Sequence, residues 1–302
     1  MPPGRSQRGC RMNTVQKYSQ PEVVACWQNL SRRGLQYSEE WMVRHYLPPG
    51  GPVLDAGCGA GRAVLALAEA GFRVVGVDLS LPMLAAARSL SAARLGGANL
   101  LNLPFADASF EAVVMFFGPL QHIPGRENRR RALAELARVT RPGGRLVIGL
   151  DNLAPGPACY LYWAGRKLRR AGRRSERPAT PADTALWSRE QRRVSPLVWH
   201  LRGVVRLLGQ RVVPALVDLP RRWGAAAGEP GDTRVAQFSV PATAGRIFYH
   251  LYRVEELAAD AAPAGWRLLA CRSGAEITEG TVYPVWVRRA DKQLFFAFGL
   301  GR

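Results

Sequence analysis

The segment from Val53 to Arg62, VLDAGCGAGR, constrains the fold of this chain more than any other part of it. An apolar run, GPVLDA, leads into its three glycines, an alanine- and leucine-rich run, RAVLALAEAGF, follows them, and RVVGVD comes next. These patterns predict a strand, a glycine turn, a helix and a second strand, which together form a βαβ unit of about 30 residues. The backbone N–H groups at the start of that helix would face any ligand above the turn.

Two acidic residues flank the glycine turn and indicate which ligand it suits. Asp78 ends the second predicted strand, 21 positions after Gly57, and a carboxylate at about this distance accepts hydrogen bonds from ribose hydroxyls. The turn departs from the dinucleotide pattern G-x-G-x-x-G, because Arg62 stands where the third glycine would fall. Asp55, just before the turn, would repel a pyrophosphate and attract an ammonium group. The alternative is a tight turn that binds no ligand.

The pattern D-x-G-x-G-x-G resembles motif I of the class I S-adenosylmethionine-dependent methyltransferases, of the methyltransferase type 11 kind. VVGVDLSLPMLAAAR is similar to the second-strand segment of that family, NLLNLPFADASFEAVVMFF to its fourth-strand segment, and RRRALAELARVTRPGGRLVIG to the helix and fifth strand that follow. The resemblance is close over residues 51–150 and loose over 248–299. It implies an α/β fold with a Rossmann-like, doubly wound, mostly parallel seven-stranded sheet, and S-adenosyl-L-methionine as the cofactor.

The resemblance also implies the residues of the site. Asn99 stands where the family commonly has an acidic residue facing the adenine amine, and its side-chain carbonyl can still accept that hydrogen bond. His122 follows the fourth strand and is the first candidate for a general base, with His250 second. The alternatives are a structural histidine bonded to the backbone, or an acceptor that needs no base. The expected cofactor-binding residues are Tyr18, Asp55, Gly57, Cys58, Gly59, Gly61, Asp78, Leu79, Met83, Asn99, Leu100 and Phe117.

Composition narrows the class of protein. With 302 residues, 47% of them hydrophobic, the chain can bury a full core. Its five cysteines are scattered and never take C-x-x-C spacing, which favours a reducing compartment and argues against a structural metal site. No apolar run reaches the roughly 18 residues that a membrane span needs, so we expect a cytoplasmic protein.

The positive charge of the chain is concentrated in one part of it. The formal net charge is +19, and residues 166–222 hold fifteen Arg or Lys against four acidic residues. Such a stretch fits RNA, an anionic membrane surface, an acidic substrate or a solvated face. The segments from Tyr160 to Arg170 and from Trp199 to Leu219 have the pattern of amphipathic helices. Aromatic residues of this region are candidates for the wall of a substrate pocket: Tyr160, Tyr162, Trp163 and Trp199.

These observations predict four regions. Residues 1–50 form an extension and a helical lid of two helices, 51–150 the cofactor-binding core, 151–245 a basic, substrate-capping insertion, and 246–302 the completion of the sheet, with the last strand at its edge. The function expected first is methylation of a small or amphipathic molecule on O, N or C. The alternatives are methylation of a tRNA or rRNA base, and cofactor binding without catalysis.

Overall fold

The computed structural model describes residues 14–151, 229, 232–235, 247–280, 282, 291 and 293–301. The chain divides into two compact units, one formed by Met1–Ser175 with Gly231–Arg302 and the other by Glu176–Pro230. Every helix and strand named below belongs to the first unit. The two amphipathic helices, the four aromatic pocket candidates and the basic stretch predicted in the insertion lie outside the described residues. The boundaries of that insertion therefore stay a prediction.

The helices and strands alternate over most of the described chain. The strands are β1 (Pro52–Ala56), β2 (Arg73–Asp78), β3 (Arg94–Gly97), β4 (Phe110–Met115), β5 (Thr140–Asp151), β6 (Asp232–Val235), β7 (Ile247–His250), β8 (Trp266–Ser273) and β9 (Gln293–Leu300). The α-helices are α1 (Thr14–Tyr18), α2 (Pro21–Ser31), α3 (Tyr37–Tyr46), α4 (Arg62–Glu69), α5 (Leu81–Arg88), α6 (Arg126–Val139), α7 (Val254–Ala261) and α8 (Gly274–Glu279).

Seven strands form one twisted sheet in the order β3-β2-β1-β4-β5-β9-β8. The first five run parallel, and β9 is antiparallel to both of its neighbours. The predicted fold class, a doubly wound and mostly parallel seven-stranded sheet, is thereby confirmed. A separate antiparallel pair, β6 with β7, was not predicted from the sequence.

The prediction that the last strand lies at the sheet edge is wrong. Strand β9 lies between β5 and β8, and β8 is the edge strand. The physical reason is in the strand itself, because its run LFFAF is apolar on both faces and six consecutive residues are buried. A strand that is covered on both sides has the composition of a central strand.

The two helices predicted before the first strand, over residues 18–47, are α2 and α3, and the short helix α1 that precedes them was not predicted. Pro21 occupies the first turn of α2, where its missing N–H costs nothing. Proline also disfavours helical backbone at the residue before it, so α1 does not continue into α2 and ends at Tyr18. Gly34, at φ +71°, separates α2 from α3. Helix α3 then begins with a capping box in which the Gln36 N–H donates to the Glu39 carboxylate at 2.7 Å.

The core lies on both faces of the sheet, because successive side chains of a strand point to opposite sides. Leu54, Val113 and Ile148 pack on the face that α6 and α7 cover, and Val53 and Val147 pack on the face that α3 and α4 cover. Burial of each such side chain stabilises the fold by about 1.5–3 kcal/mol. Among the described helices, none is both long and apolar enough to cross a bilayer.

Candidate active site

A cleft opens at the carboxyl ends of β1, β2 and β4, and helices α1 and α2 cover it. The strand order reverses between β1 and β4, and in open α/β sheets this reversal is where ligands bind. The residues that line the cleft are Thr14, Val15, Tyr18, Trp27, Ser31, Asp55, Gly57, Cys58, Gly59, Ala60, Arg62, Ala63, Asp78, Leu79, Ser80, Met83, Ala98, Asn99, Leu100, Phe116, Phe117, Pro119, His122 and Ile123. Eleven of the twelve residues predicted to bind the cofactor are among them, and so is His122.

The glycine turn forms the floor of the cleft. The N–H groups of Gly57 and Cys58 donate to the Val77 carbonyl at 2.8 and 2.9 Å, which ties the turn to β2. Gly57 has φ +84°, and a Cβ there would lie 2.6 Å from Pro119. Gly59 has φ +51°, but a Cβ there would meet no atom within 4 Å. The backbone of Gly59 therefore faces open space, as a surface that receives a ligand must.

Gly61 is the one predicted cofactor residue that does not line the cleft. It caps the start of α4 in the left-handed conformation, with φ +84°. A Cβ at this position would lie 2.9 Å from the Cβ of Ala87 in α5. Glycine is therefore needed at position 61 for packing, because α4 and α5 approach each other closely there.

Asp78 is held in a fixed orientation at the end of β2. Its Oδ2 accepts a hydrogen bond from the Gly59 N–H at 2.9 Å, and its Oδ1 accepts one from the Ser80 N–H at 2.8 Å. Burial raises its pKa, while these backbone donors act in the opposite direction. Each carboxylate oxygen can accept more than one hydrogen bond, so both remain able to receive a ribose hydroxyl.

Asp55 is the most unusual charged residue of the cleft. It is 2% exposed and accepts a hydrogen bond from the Val64 N–H, but its Oδ2 has no partner among the described residues. Burial raises its pKa to about 7, although the Arg62 guanidinium acts in the opposite direction. The negative charges of Asp78 and Glu39 raise it further. A buried carboxylate oxygen without a partner is costly, and a bound hydrogen-bond donor or cation would remove that cost.

Arg62 is a cleft residue that the sequence analysis did not identify. Its guanidinium donates to both carboxylate oxygens of Glu39, at 2.5 and 2.6 Å, and the two side chains are buried. The same guanidinium lies 4.3 Å from the centre of the Phe117 ring. The one sequence signal for this residue was its position, since an arginine stands where the dinucleotide pattern has its third glycine.

The lining of the cleft also includes apolar side chains that follow β2 and β3. Met83 is buried and Leu79 is half exposed, and both lie beside Leu100 in the lining. Ser80 caps α5, as the pattern predicts, and accepts a hydrogen bond from the Met83 N–H at 3.4 Å. The Asn99 Oδ1 already accepts one from the Leu101 N–H at 3.0 Å, so one lone pair of the amide oxygen is left for a ligand.

Four aromatic side chains of the lining contact one another and form the aromatic end of the cleft: Tyr18 of α1, Trp27 of α2, Phe117 and His122. The ring of Tyr18 lies 6.2 Å from that of Trp27 and 5.5 Å from that of His122, and the Trp27 ring lies 5.5 Å from that of Phe117. Phe117 has φ +59°, which is uncommon for a bulky residue and strains the backbone by about 1–3 kcal/mol. Packing between Trp27 and the Arg62 guanidinium holds Phe117 in this conformation.

His122 bridges α1 and strand β7. Its Nδ1 lies 3.2 Å from the Phe248 carbonyl, and its Nε2 lies 3.1 Å from the Tyr18 hydroxyl. A carbonyl can only accept, so Nδ1 carries the proton and Nε2 accepts from the phenol. Burial lowers the pKa of His122 to about 4, and the nearby charge of Lys17 lowers it too. The imidazole is therefore neutral at physiological pH, with a lone pair on Nε2.

Gln121, beside His122, uses both ends of its amide. Its Nε2 donates to the carbonyls of Asp151 and His250, both at 3.0 Å. Its Oε1 accepts from the Asp151 N–H and from the Tyr249 hydroxyl, both at 2.9 Å. These bonds fix the loop after β4 to the end of β5 and to β7. Nothing in the sequence indicated this role, because its partners are 30, 128 and 129 positions away.

His250, the second candidate base, lies outside the cleft lining. It is fully buried, with Nδ1 2.7 Å from the Asp232 carboxylate and Nε2 2.9 Å from the Glu256 carboxylate. These contacts give it a role in joining β6, β7 and α7.

Comparisons with known proteins agree with this geometry. Residues 53–144 match the family model of the methyltransferase domain. A demethylmenaquinone methyltransferase of Mycobacterium sp. (strain JLS) is 42% identical over 103 residues, which is 33% of this chain and 41% of that protein. One from Corynebacterium glutamicum (strain R) is 37% identical over 136 residues, or 45% of this chain and 51% of that protein. The chain thus spans about half the length of these relatives.

Solved structures share the fold over more of the chain. A SAM-dependent methyltransferase from Methanosarcina mazei superimposes with a TM-score of 0.53 and 19% identity, covering 86% of this chain and 97% of that one. The CcbJ methyltransferase from Streptomyces caelestis gives a TM-score of 0.51 and 16% identity, covering 88% and 89%. At such identities the similarity shows the fold alone. The match of residues 53–144 to the methyltransferase domain is what confirms the family resemblance found in the sequence, over that segment.

Proposed function

We infer that this chain is an enzyme that transfers a methyl group from S-adenosylmethionine to a small molecule. The inference starts from its core, which resembles that of the class I S-adenosylmethionine-dependent methyltransferases. The observation that carries the proposal is the convergence of a ligand-facing glycine turn, the fixed carboxylate of Asp78 and the unpartnered Oδ2 of Asp55 in one cleft. If the turn bound no ligand, the buried Oδ2 of Asp55 would have no hydrogen-bond partner among the described residues, which is costly.

We assign each part of S-adenosylmethionine to residues of the cleft. The ammonium of its amino-acid end suits Asp55, the ribose hydroxyls suit Asp78, and the adenine suits the apolar side formed by Leu79, Met83 and Leu100. The carboxyls of this cleft favour a ligand that carries positive charge. Such a ligand has no phosphate to be repelled by Asp55.

The aromatic end of the cleft is the proposed place of the acceptor. When bound, S-adenosylmethionine supplies a sulfonium-linked methyl group: the acceptor atom bonds to the methyl carbon as the carbon–sulfur bond breaks, with its electron pair left on sulfur. The protein contributes orientation and exclusion of water. The Nε2 lone pair of His122 lies there and accepts a hydrogen bond from the Tyr18 hydroxyl; in place of that phenol, it can accept a proton or a hydrogen bond of the acceptor.

A small acceptor is supported by the relatives, which are named for action on demethylmenaquinone. Nothing in the part of the chain that the structure describes supports contact with RNA or with a membrane surface. Because the similarity spans about half of the relatives, their acceptor is not carried over to this chain. Location in the cytoplasm remains a proposal.

Calorimetry with S-adenosylmethionine and S-adenosylhomocysteine tests the proposal. Asp78→Ala removes charge-assisted hydrogen bonds to the ribose, each worth roughly 1.5–3 kcal/mol, so the Kd should rise at least about tenfold. Asp78→Asn, which keeps the shape of the side chain, is the second variant, and circular dichroism checks that both fold. Asp107→Ala is the matched control, because its side chain is 78% exposed and lies outside the cleft lining.

Absence of heat with either compound, in a folded wild-type sample at high concentration, would end the proposal. Catalysis is then tested with methyl-labelled cofactor and a small-molecule extract. Label in a small molecule supports the enzyme, whereas tight cofactor binding without any labelled product supports the non-catalytic alternative.

A further inference from the structure

The aromatic end of the cleft has mostly apolar walls, and the guanidinium of Arg62 beside Phe117 is already paired with the Glu39 carboxylate. Trp27, Phe116, Phe117 and Ile123 form its apolar walls. Between them, the Tyr18 hydroxyl donates to the Nε2 of His122 at 3.1 Å. Apolar and aromatic walls select an apolar ligand, while one well-placed polar group fixes its orientation.

The direction of that hydrogen bond is set from outside the cleft. The Phe248 carbonyl accepts from Nδ1 of His122 at 3.2 Å, which leaves Nε2 as an acceptor in the neutral ring. The Tyr249 ring stands edge-on to the imidazole, with 4.9 Å between the centroids. Strand β7, which carries both residues, thus fixes the ring and its tautomer.

The donor on Nε2 belongs to a short helix. Helix α1 has only five residues, and its end is held by the Ser80 hydroxyl, which donates to the Tyr18 carbonyl at 3.0 Å. The phenol of Tyr18 is an aromatic ring bearing one hydroxyl. It therefore shows which kind of group fits between these walls and against Nε2.

We propose that the methyl acceptor is an uncharged molecule with an apolar ring and a hydroxyl, and that this hydroxyl donates to Nε2 of His122 in place of the Tyr18 phenol. This inference rests on the proposed methyltransferase function, whose acceptor it narrows. An alkoxide or phenolate would face the lone pair of Nε2 and be repelled by it. A charged acceptor would also lose its hydration against Trp27 and Phe117, where the Arg62 guanidinium is already bound to both carboxylate oxygens of Glu39.

The inference predicts that Tyr18→Phe strengthens the binding of a hydroxyl-bearing ligand, although the substitution removes a hydroxyl from the cleft. The substitution removes the competing phenol and leaves the lone pair of Nε2 unsatisfied, so a hydroxyl-bearing ligand should bind more tightly. One neutral hydrogen bond corresponds to about a three- to tenfold change in Kd. A role of Tyr18 in core packing or in holding the cofactor predicts weaker binding or no change.

Two probes test this prediction: 2-naphthol, and 2-methoxynaphthalene, which has a methyl group in place of the hydroxyl hydrogen and so cannot donate. Calorimetry on the full chain, with and without saturating S-adenosylhomocysteine, should show 2-naphthol binding about three- to tenfold more tightly than its ether. Tyr18→Phe should widen that ratio by a similar factor, and His122→Leu should abolish it. Tyr37→Phe is the matched control, because Tyr37 is exposed on α3.

Folding failure of the His122 variant would not remove the test. In wild-type protein with ¹⁵N-labelled histidine, 2-naphthol should shift the Nε2 resonance of His122, and the ether should not. Equal binding of the two probes, no binding of either, or weaker 2-naphthol binding in Tyr18→Phe overturns the inference. Since these probes are measured without cofactor as well, their failure is separate from failure to bind S-adenosylmethionine.

Discussion

Replacement of Asp55 by Asn should stabilise the empty protein and weaken its binding of the cofactor. Burial raises the pKa of this carboxyl from 3.8 to about 7, and Oδ2 has no partner among the described residues. One pH unit of difference in pKa corresponds to about 1.4 kcal/mol. Ionised Asp55 therefore costs the folded state on the order of 4 kcal/mol at alkaline pH.

The sign of the pH dependence follows from the raised pKa. Below about pH 4 the carboxyl is protonated in both states, and its contribution is constant. Between about pH 4 and pH 7 the unfolded chain has lost the proton and the folded chain retains it, so stability falls as the pH rises. Asp55→Asn should therefore be more stable than wild type, and the difference in their free energies of unfolding should grow by about 2 kcal/mol from about pH 5.5 to pH 8.

Urea denaturation at the two pH values, without cofactor, measures this difference. Asp107→Asn is the control and should show no such growth, because Asp107 is exposed. Calorimetry at the alkaline pH should show the Kd for S-adenosylmethionine in Asp55→Asn raised by about ten- to a hundredfold, the loss of one charge-assisted hydrogen bond. Parallel stability curves for Asp55→Asn and wild type over this pH range would refute the reasoning.

Two further predictions concern the loop beside the cleft and the basic stretch. Gln121→Glu replaces a donor to two carbonyls by a carboxylate oxygen, so urea denaturation should show unfolding free energy lower by at least about 2 kcal/mol. Gln28→Glu is the control, at an exposed hydrogen bond to Ser89, and its free energy of unfolding should stay within about 0.5 kcal/mol of wild type. Equal losses in the two variants would contradict the role given to Gln121. For the basic stretch over 166–222, binding of single-stranded RNA should be weak at physiological salt. Tight binding with a log–log salt slope near −4, about six phosphates, together with methyl transfer to a defined RNA, would favour the RNA alternative.

The sequence predicted the parts of the site that lie on one βαβ unit. The glycine turn and Asp78 follow from spacing, because the chain geometry of a strand, a turn and a helix leaves little freedom between positions 53 and 78. Ser80 as the cap of α5 is a local effect of the same kind. Gly61 shows the limit of this reasoning, since the same pattern cannot separate a ligand-facing glycine from one that packs against Ala87.

Contacts between distant parts of the chain could not be predicted. The tautomer of His122 depends on Phe248, 126 positions away, and the environment of Asp55 depends on the pairing of Arg62 with Glu39. Such contacts come from the packing of whole elements, and no periodicity in a single segment encodes them. The place of β9 inside the sheet is the exception, because its two-sided apolar run was visible and was misinterpreted as an edge.

A crystal structure with S-adenosylhomocysteine tests the central claim most directly. The account predicts the ligand in the cleft between the glycine turn and α1, with its amino nitrogen within hydrogen-bond distance of the Asp55 Oδ2 and its ribose hydroxyls on the Asp78 carboxylate. The sulfur should point toward Phe117 and His122. A ligand bound elsewhere, or one in the cleft that leaves the Asp55 oxygen without a partner, would contradict the account.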